Sequence, residues 1–357
     1  MRTLQVTNQI TNQYFVCLQR DSLKPIMWDI SRSDCNAAMA ELAPNCLYLG
    51  KIFKEMEKQL TISGLTFYMT WDTDQLPSYG NNVVAVLLGD EQCRIPAYIH
   101  QVRAVFKNMS TVPMIGDNLF LKPSYLNLMI FMQFLRNWVI RTPGLLNFWF
   151  HRLVGAKIAP IYDIPLGYFR QDYLPIKDIT ERQYDLFFAG SLIIDSHPIW
   201  SWRFWLRGPK DIARKQMLSA VDKLQTKYPK LKIGVGTTND FGQEVNFPKD
   251  NRSYSDKLMD TKICLAPRGS IFETHRFFEG LRYGCIVIAQ PLPDSWFYQD
   301  SPAIQLSDWH SLEQVIEKIL DNQQLMQLQQ EKSLKFWQEK CSEVSVGSFM
   351  AAKLNLH

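Results

Sequence analysis

Residues 262–288 read Lys262-Ile-Cys-Leu-Ala-Pro-Arg-Gly-Ser270-Ile-Phe-Glu-Thr-His-Arg-Phe-Phe-Glu279-Gly-Leu-Arg-Tyr-Gly284-Cys-Ile-Val-Ile288, placing a strand, a polar turn, a charged helix and a second strand in one run. The stretch from Lys262 to Ala266 is short, apolar and β-branched, as a strand buried on both faces of a parallel sheet must be. Pro267 stops it, and Arg268-Gly269 supplies the turn. Ser270, followed three residues later by Glu273, forms a capping box that predicts a helix from about Ile271. Gly284 suits the C′ position of that helix, and Cys285 to Ile288 return to the sheet.

A strand, turn and helix in this order aim backbone N–H groups at the carboxyl edge of the sheet, where α/β proteins bind ligands and the helix dipole favours an anion. Arg268 adds a guanidinium with bidentate geometry for phosphate oxygens. Arg276 and Glu279 lie three residues apart on one helix face, where the carboxylate can accept both hydroxyls of a ribose. Plainer readings stand beside these: Glu273 as a cap alone, and Arg276 with Glu279 as a solvated ion pair worth about 0.3–0.5 kcal/mol.

The second half of the chain alternates in type. Tyr184 to Gly190 reads as a strand ending in Gly190-Ser191, and residues 211–227 carry Met217, Leu218, Val221 and Leu224 at helical spacing. Leu231 to Gly236 is the next strand, a short helix covers Ser255 to Met259, and Leu312, Val315, Ile316, Ile319 and Leu320 mark a helix after Ser311. Strands separated by helices imply a parallel sheet with right-handed crossovers.

Taken together, residues 184–320 resemble the donor-site half of exostosin-type glycosyltransferases. That family carries a Leu-x-Pro-x-Gly turn, Arg-x-x-Glu on the helix and then Gly-Cys-Ile-Pro-Val; Leu265, Pro267, Gly269, Arg276, Glu279 and Gly284-Cys285-Ile286 correspond, with Val287 at the proline position. The resemblance implies an α/β chain of GT-B architecture, two Rossmann-like domains facing a cleft. It assigns residues 1–165 to an N-terminal acceptor-binding domain, 166–183 to a linker, 184–335 to a C-terminal nucleotide-sugar domain and 336–357 to a tail that packs back on the first domain. Donor contacts are then expected at Gly190, Ser191, Arg268, Gly269, Ser270, Arg276 and Glu279, with UDP as the favoured carrier and GDP second. Gly190 and Ser191 also read as a plain turn. No cofactor is expected, and the acceptor is a glycan or a lipid-linked molecule. Retaining enzymes of this architecture often carry Glu-x7-Glu, but eight residues before Glu279 stands Ile271, so transfer with inversion is implied. A shifted turn that delivers Glu273 or His275 to the sugar is the alternative.

The whole-chain numbers bound the choice. At 357 residues the chain has room for two domains, each able to bury a core, and 46% hydrophobic with 21% charged residues is ordinary for a folded protein. A net charge of +4 with no basic patch interleaved with exposed aromatics argues against nucleic acid. Seven cysteines without a Cys-x-x-Cys pair read as reduced thiols rather than a zinc site. The opening residues lack an apolar signal-peptide core and no apolar run reaches 18 residues, so a cytoplasmic location is the expectation, with association at the inner face of the membrane as the further option that residues 119–153 raise.

In the first half, residues 65–70 and 82–88 read as strands, and Pro96 followed by Tyr98, Ile99, Val102, Val105 and Phe106 reads as an amphipathic helix. Asp90 or Glu91, at the carboxyl end of a strand, is the candidate base for the acceptor hydroxyl, with a turn cap as the other reading of Asp90 and His100 as a second-rank base. Asp72-Thr-Asp74 after a strand matches the metal-binding pattern of single-domain, metal-dependent transferases, or else forms a loop lining the acceptor side; no metal is the preferred reading. Residues 119–153 are rich in Leu, Ile, Phe and Trp, with Lys122, Arg136, Arg141 and Arg152 as their only charges. They read either as a buried helix pair broken at Pro143-Gly144 or as a segment lying on an anionic membrane. Besides the transferase, a non-catalytic carbohydrate- or nucleotide-binding module and a membrane-surface scaffold fit the same residues.

Overall fold

The computed structural model describes residues 11–18, 22–116, 119, 121–169, 173–192, 208–238 and 253–356. The chain is an α/β protein that divides into two compact units, one built from residues 1–111, 140–165 and 343–357, the other from residues 112–139 and 166–342.

The first unit is organised on a six-stranded sheet in the order β2-β1-β3-β4-β5-β6. β1 (Gln13–Cys17) pairs antiparallel with the short edge strand β2 (Ile26–Met27). β1 continues in parallel to β3 (Thr66–Thr70), β4 (Gly80–Leu87), β5 (Val102–Lys107) and β6 (Ile161–Asp163). Val83 to Leu88 are all buried, so this strand shows the unbroken apolar run that parallel pairing imposes. The helix expected from Pro96 through Phe106 is instead a turn followed by β5. Val102, Ala104, Val105 and Phe106 are buried beside β4, and a place between two strands overrides a helical spacing that is also compatible with a turn and a buried strand.

Two helices, α1 (Ser33–Leu42) and α2 (Cys46–Glu57), connect β2 to β3. Tyr14 of β1 and Phe67 of β3 stack at 4.7 Å, with Phe53 of α2 at 5.0 Å from Tyr14, joining helix to sheet through rings. A long helix, α3 (Tyr125–Leu153), runs without interruption through Pro143 and Gly144, so no helix pair is present there. Pro143 removes one backbone donor but its position is exposed to solvent, and Gly144 serves packing: a Cβ there would lie 2.6 Å from the carbonyl oxygen of Ile95.

In the second unit the five strands are all parallel, in the order β11-β10-β9-β7-β8. They are β7 (Tyr184–Ser191), β8 (Ile233–Thr238), β9 (Thr261–Ala266), β10 (Ile286–Ala289) and β11 (Ile304–Gln305). Side chains alternate between two buried faces. Leu186, Phe188, Ile263, Leu265, Ile286 and Ile288 meet Met217, Val221 and Leu224 of α4 (Pro209–Lys227) and Ile316 and Ile319 of α7 (Leu312–Leu320). On the other face Phe187, Ala189, Cys264 and Cys285 meet Leu258 and Met259 of α5 (Tyr254–Met259). The helix of the decisive segment, α6 (His275–Arg282), starts with Thr274 as N-cap, four residues later than the Ser270 box predicts. Residues 269–273 instead fold so tightly that a Cβ on Gly269 would sit 2.5 Å from the Glu273 carbonyl oxygen, and the Glu273 side chain accepts from Tyr298 Oη at 3.3 Å. Gly284 closes α6 at φ +67°, in the left-handed region. α8 (Gln323–Phe336) follows α7.

The last helix, α9 (Glu343–Asn355), belongs to the first unit and packs on α2. Contact is closest at Gly347, where a Cβ would come within 2.8 Å of the Ile52 carbonyl oxygen and 2.9 Å of the Met56 nitrogen. Neither backbone atom can step aside without moving a helix. Gly347→Val should therefore destabilise the first unit by about 1–3 kcal/mol, the usual cost of overpacking, read as a lowered urea midpoint for β1–β6 and their helices by hydrogen exchange.

Candidate functional site

Sheet topology selects the place to look. Taken from the edge, the second unit's strands run second, first, third, fourth, fifth in chain order, so the connections reverse direction between β7 and β9. In open α/β sheets, ligands bind outside the carboxyl ends of the strands at such a switch point. Apart from the antiparallel β2, the first unit's strands follow one another in chain order and have no reversal.

At the carboxyl end of β7 the structure brings together Gly190, Ser191, Arg276 and a residue the sequence reading did not select, Arg214 of α4. Arg276 Nε donates to the carbonyl of Ala189, and its Nη1 lies 3.3 Å from Thr274 Oγ1. The guanidinium occupies the space a side chain at position 190 would need, since a Cβ on Gly190 would overlap Arg276 Nη2 at 1.8 Å. Any larger residue there would displace the guanidinium from this position. Arg214 is 3% exposed and donates through Nη1 to the carbonyl of Ser191 and, at 3.2 Å, to its hydroxyl. Its Nε has no partner among the described residues. Burial pushes the Arg214 guanidinium down to about 8, the charge of Arg276 pushes the same way, and Asp211 opposes both. Two guanidinium groups thus converge on one strand end.

A third cation stands at the end of β9. Arg268 is 1% exposed, lies 4.2 Å over the ring of Phe272 and donates through Nη2 to Gln133 Oε1 of α3 at 2.7 Å. Phe272 itself packs with Leu126 and Ile130 of α3 and Ala213 of α4. Nε and Nη1 of Arg268 have no partner among the described residues, and burial pushes this guanidinium down to about 9. Gly269 and Ser270 form the tight loop that follows; the Ser270 carbonyl accepts from Gln133 Nε2.

Glu279 sits one turn into α6, 4% exposed, with both carboxylate oxygens already engaged. Phe169 N–H donates to Oε1 at 3.1 Å and Tyr254 Oη to Oε2 at 2.6 Å. Burial raises its pKa above the usual carboxylate range, while Tyr254, Arg276 and the Phe169 amide hold it back. In this arrangement the carboxylate fastens Phe169 and α5 to α6 rather than presenting itself to solvent. His275 donates through Nδ1 to the Gly167 carbonyl at 3.0 Å and packs beside Phe169. Glu273 is buried against Tyr298.

The residues selected in the first unit divide in the same way. Asp90 is an internal fastener: its carboxylate meets Lys107 Nζ at 2.7 Å, both side chains being out of solvent, and accepts the backbone N–H of Arg94 at 2.6 Å and of Gln92 at 3.2 Å. Glu91 is the exposed carboxylate of that turn. His100 stacks on His151 at 3.5 Å. Asp72 Oδ1 accepts from the backbone of Asp74 at 2.7 Å and Gln75 at 3.2 Å, and Asp72, Asp74, Trp71, Thr73 and Arg94 line a shallow depression of about 150 Å³. Among the described residues no group of three or more His, Cys, Asp or Glu side chains is placed to hold a metal ion.

No family model and no curated protein matches the chain. Solved structures that align with it include a chain of the GtfA/B complex, at 13% identity and a TM-score of 0.39 over 78% of this chain and 58% of that one. The glycosyltransferase SnogD from Streptomyces nogalater aligns at 9% identity and 0.35 over 89% and 80%, and Arabidopsis thaliana UGT89C1 complexed with UDP-L-rhamnose at 11% and 0.32 over 91% and 79%. The present chain therefore spans 58% of the GtfA/B chain it matches.

His275 supplies a pH signature. Burial pushes its imidazole from 6.5 down to about 4; the Gly167 carbonyl opposes this and the Arg276 charge adds to it. The unfolded chain takes up a proton near 6.5 that the folded chain refuses until about 4, so stability is present above this window and lost as the pH falls through it. Thermal midpoints of the wild type should fall relative to those of His275→Gln between those two pH values, and parallel curves would contradict the buried neutral imidazole.

Proposed function

We propose that the chain is a glycosyltransferase that takes its sugar from a nucleoside-diphosphate donor bound at the carboxyl edge of the second unit's sheet. The observation that carries this is the convergence of Arg214 and Arg276 on the end of β7. Among the described residues neither has a carboxylate in hydrogen-bond contact, and one N–H of Arg214 finds no partner there. Burying like charges together is costly, and a bound anion offsets the cost. Arg268 at the end of the neighbouring strand extends the same positive edge. A diphosphate is the anion that fits two adjacent strand ends, which lie about 5 Å apart.

In the reaction that follows from this reading, the acceptor hydroxyl attacks the anomeric carbon in line and the nucleoside diphosphate departs with the bonding electron pair. The guanidinium groups stabilise the charge that builds on the leaving group, and no metal is needed for that role. The sugar configuration inverts. For the base we propose Glu91, because Asp90 is committed to Lys107 and to its own turn. Glu279, with Tyr254 and Phe169, shapes the donor pocket from beneath, and direct contact with a ribose requires one of those hydrogen bonds to be exchanged. UDP is the carrier proposed, on the exostosin-type resemblance of residues 262–288, and the acceptor is a glycan or a lipid-linked sugar.

Calorimetric titration of UDP and GDP, with and without EDTA, tests the reading in the wild type and in Arg276→Met. The wild type should bind one of the two nucleotides whether or not chelator is present. Arg276→Met should lose about 1.5–3 kcal/mol of binding, the contribution of hydrogen bonds to a charged group, while melting at or above the wild-type temperature because a like-charge contact with Arg214 is gone. Absence of binding by the wild type to either nucleotide defeats the proposal. Glu279→Ala is the poorer probe, since it also strands the Tyr254 hydroxyl and the Phe169 amide.

A further inference from the structure

The helix α3 carries an exposed apolar face that the reaction does not use. Leu128, Met132, Leu135, Val139, Leu146 and Leu153 follow one another in steps of three, four or seven, which places them on one stripe, and all are exposed; Val139 is 72%, Leu146 65% and Leu153 83% exposed. Trp149 continues the stripe and Trp138 borders it, both more than a third exposed. At 1.5 Å per residue the stripe is about 38 Å long, far beyond the scattered apolar residues a folded surface normally shows.

Charge decides what covers it. Between residues 118 and 162 there is no Asp or Glu, whereas Arg136 and Arg152 are exposed and fall about 80° to one side and about 120° to the other side of the stripe on the helical wheel. An apolar stripe edged by arginines and tryptophans is the pattern of a helix lying in a lipid interface, with its cations at the headgroups. A second copy of the same helix would bring arginines together with no carboxylate in the segment to meet them. No described helix is long and apolar enough to cross a membrane.

We propose that this face of α3 docks on an anionic lipid surface, the helix axis parallel to the surface and Val139, Leu146, Trp149 and Leu153 inserted. The inference is independent of the transfer reaction.

The test is flotation of the full chain with vesicles of phosphatidylcholine and with vesicles that also contain phosphatidylglycerol. It compares the wild type with the double variant Val139→Glu, Leu146→Glu, whose sites are exposed enough to accept the change without unfolding. The wild type should float with the mixed vesicles, less so at high salt, and its tryptophan emission should shift to the blue. The double variant should melt as the wild type does and bind roughly tenfold or more weakly, having lost two apolar insertions. Failure of the wild type to float with mixed vesicles, equal flotation with neutral ones, or undiminished flotation of the double variant overturns the proposal. So does a wild-type dimer in sedimentation that the double variant dissociates, because a second copy would then be the occupant. UDP titration of the double variant runs alongside: unchanged nucleotide binding with lost flotation separates this surface from the donor site.

Discussion

In a parallel sheet every strand ends on the same edge, and the five strands of the second unit are all parallel. The residues after β7 and after β9 are therefore delivered side by side whatever lies between them in the chain, and the reversal of strand order opens a gap at that point. Gly190, Ser191 and Arg268 owe their placement to this constraint, and Arg276 reaches the same edge because α6 runs back from it. Both faces of the sheet are covered by helices, so the guanidinium groups at its edge are drawn into an environment of low polarity, which is why the pKa values of Arg214 and Arg268 are pushed down.

This placement runs against stability. A buried arginine with one or two unpartnered N–H groups costs free energy that a Met or Leu of similar volume would not, and among the described residues the second unit carries two of them at one edge. The ring of Phe272 beneath Arg268 and the amide oxygen of Gln133 beside it recover part of that cost and fix the direction of the group. By contrast two buried carboxylates are matched: Asp90 with Lys107 and two backbone amides, Glu279 with Tyr254 and Phe169.

The strands of the second unit were legible from residues alone, because a run such as Lys262 to Ala266 between Thr261 and Pro267 has few other ways to be buried. Gly284 was legible for a similar reason, since its left-handed φ is one that few other residues adopt. The start of α6 was not: a Ser270 and Glu273 pair satisfies the capping pattern locally, and only the tertiary contact of Glu273 with Tyr298 shows that the carboxylate is used elsewhere. β5 and the continuity of α3 were hidden by the same weakness, a local signal outvoted by neighbours absent from the window. Arg214 had a signal that could have been read. It precedes Met217, Val221 and Leu224 by one helical step on the same buried face, and a charge on a core face demands a reason.

The return of α9 to α2 has a consequence for the order in which the molecule is made. The first unit draws on residues 1–111, 140–165 and 343–357, so its closing segment is translated after everything the second unit needs. A growing chain that has reached residue 342 holds the whole of the later unit, while α2 still lacks the helix that Gly347 seats against it. Chains usually fold from the amino terminus forward during synthesis. Here the unit whose sheet emerges first is the one completed last, with its flank at α2 uncovered until α9 has been made.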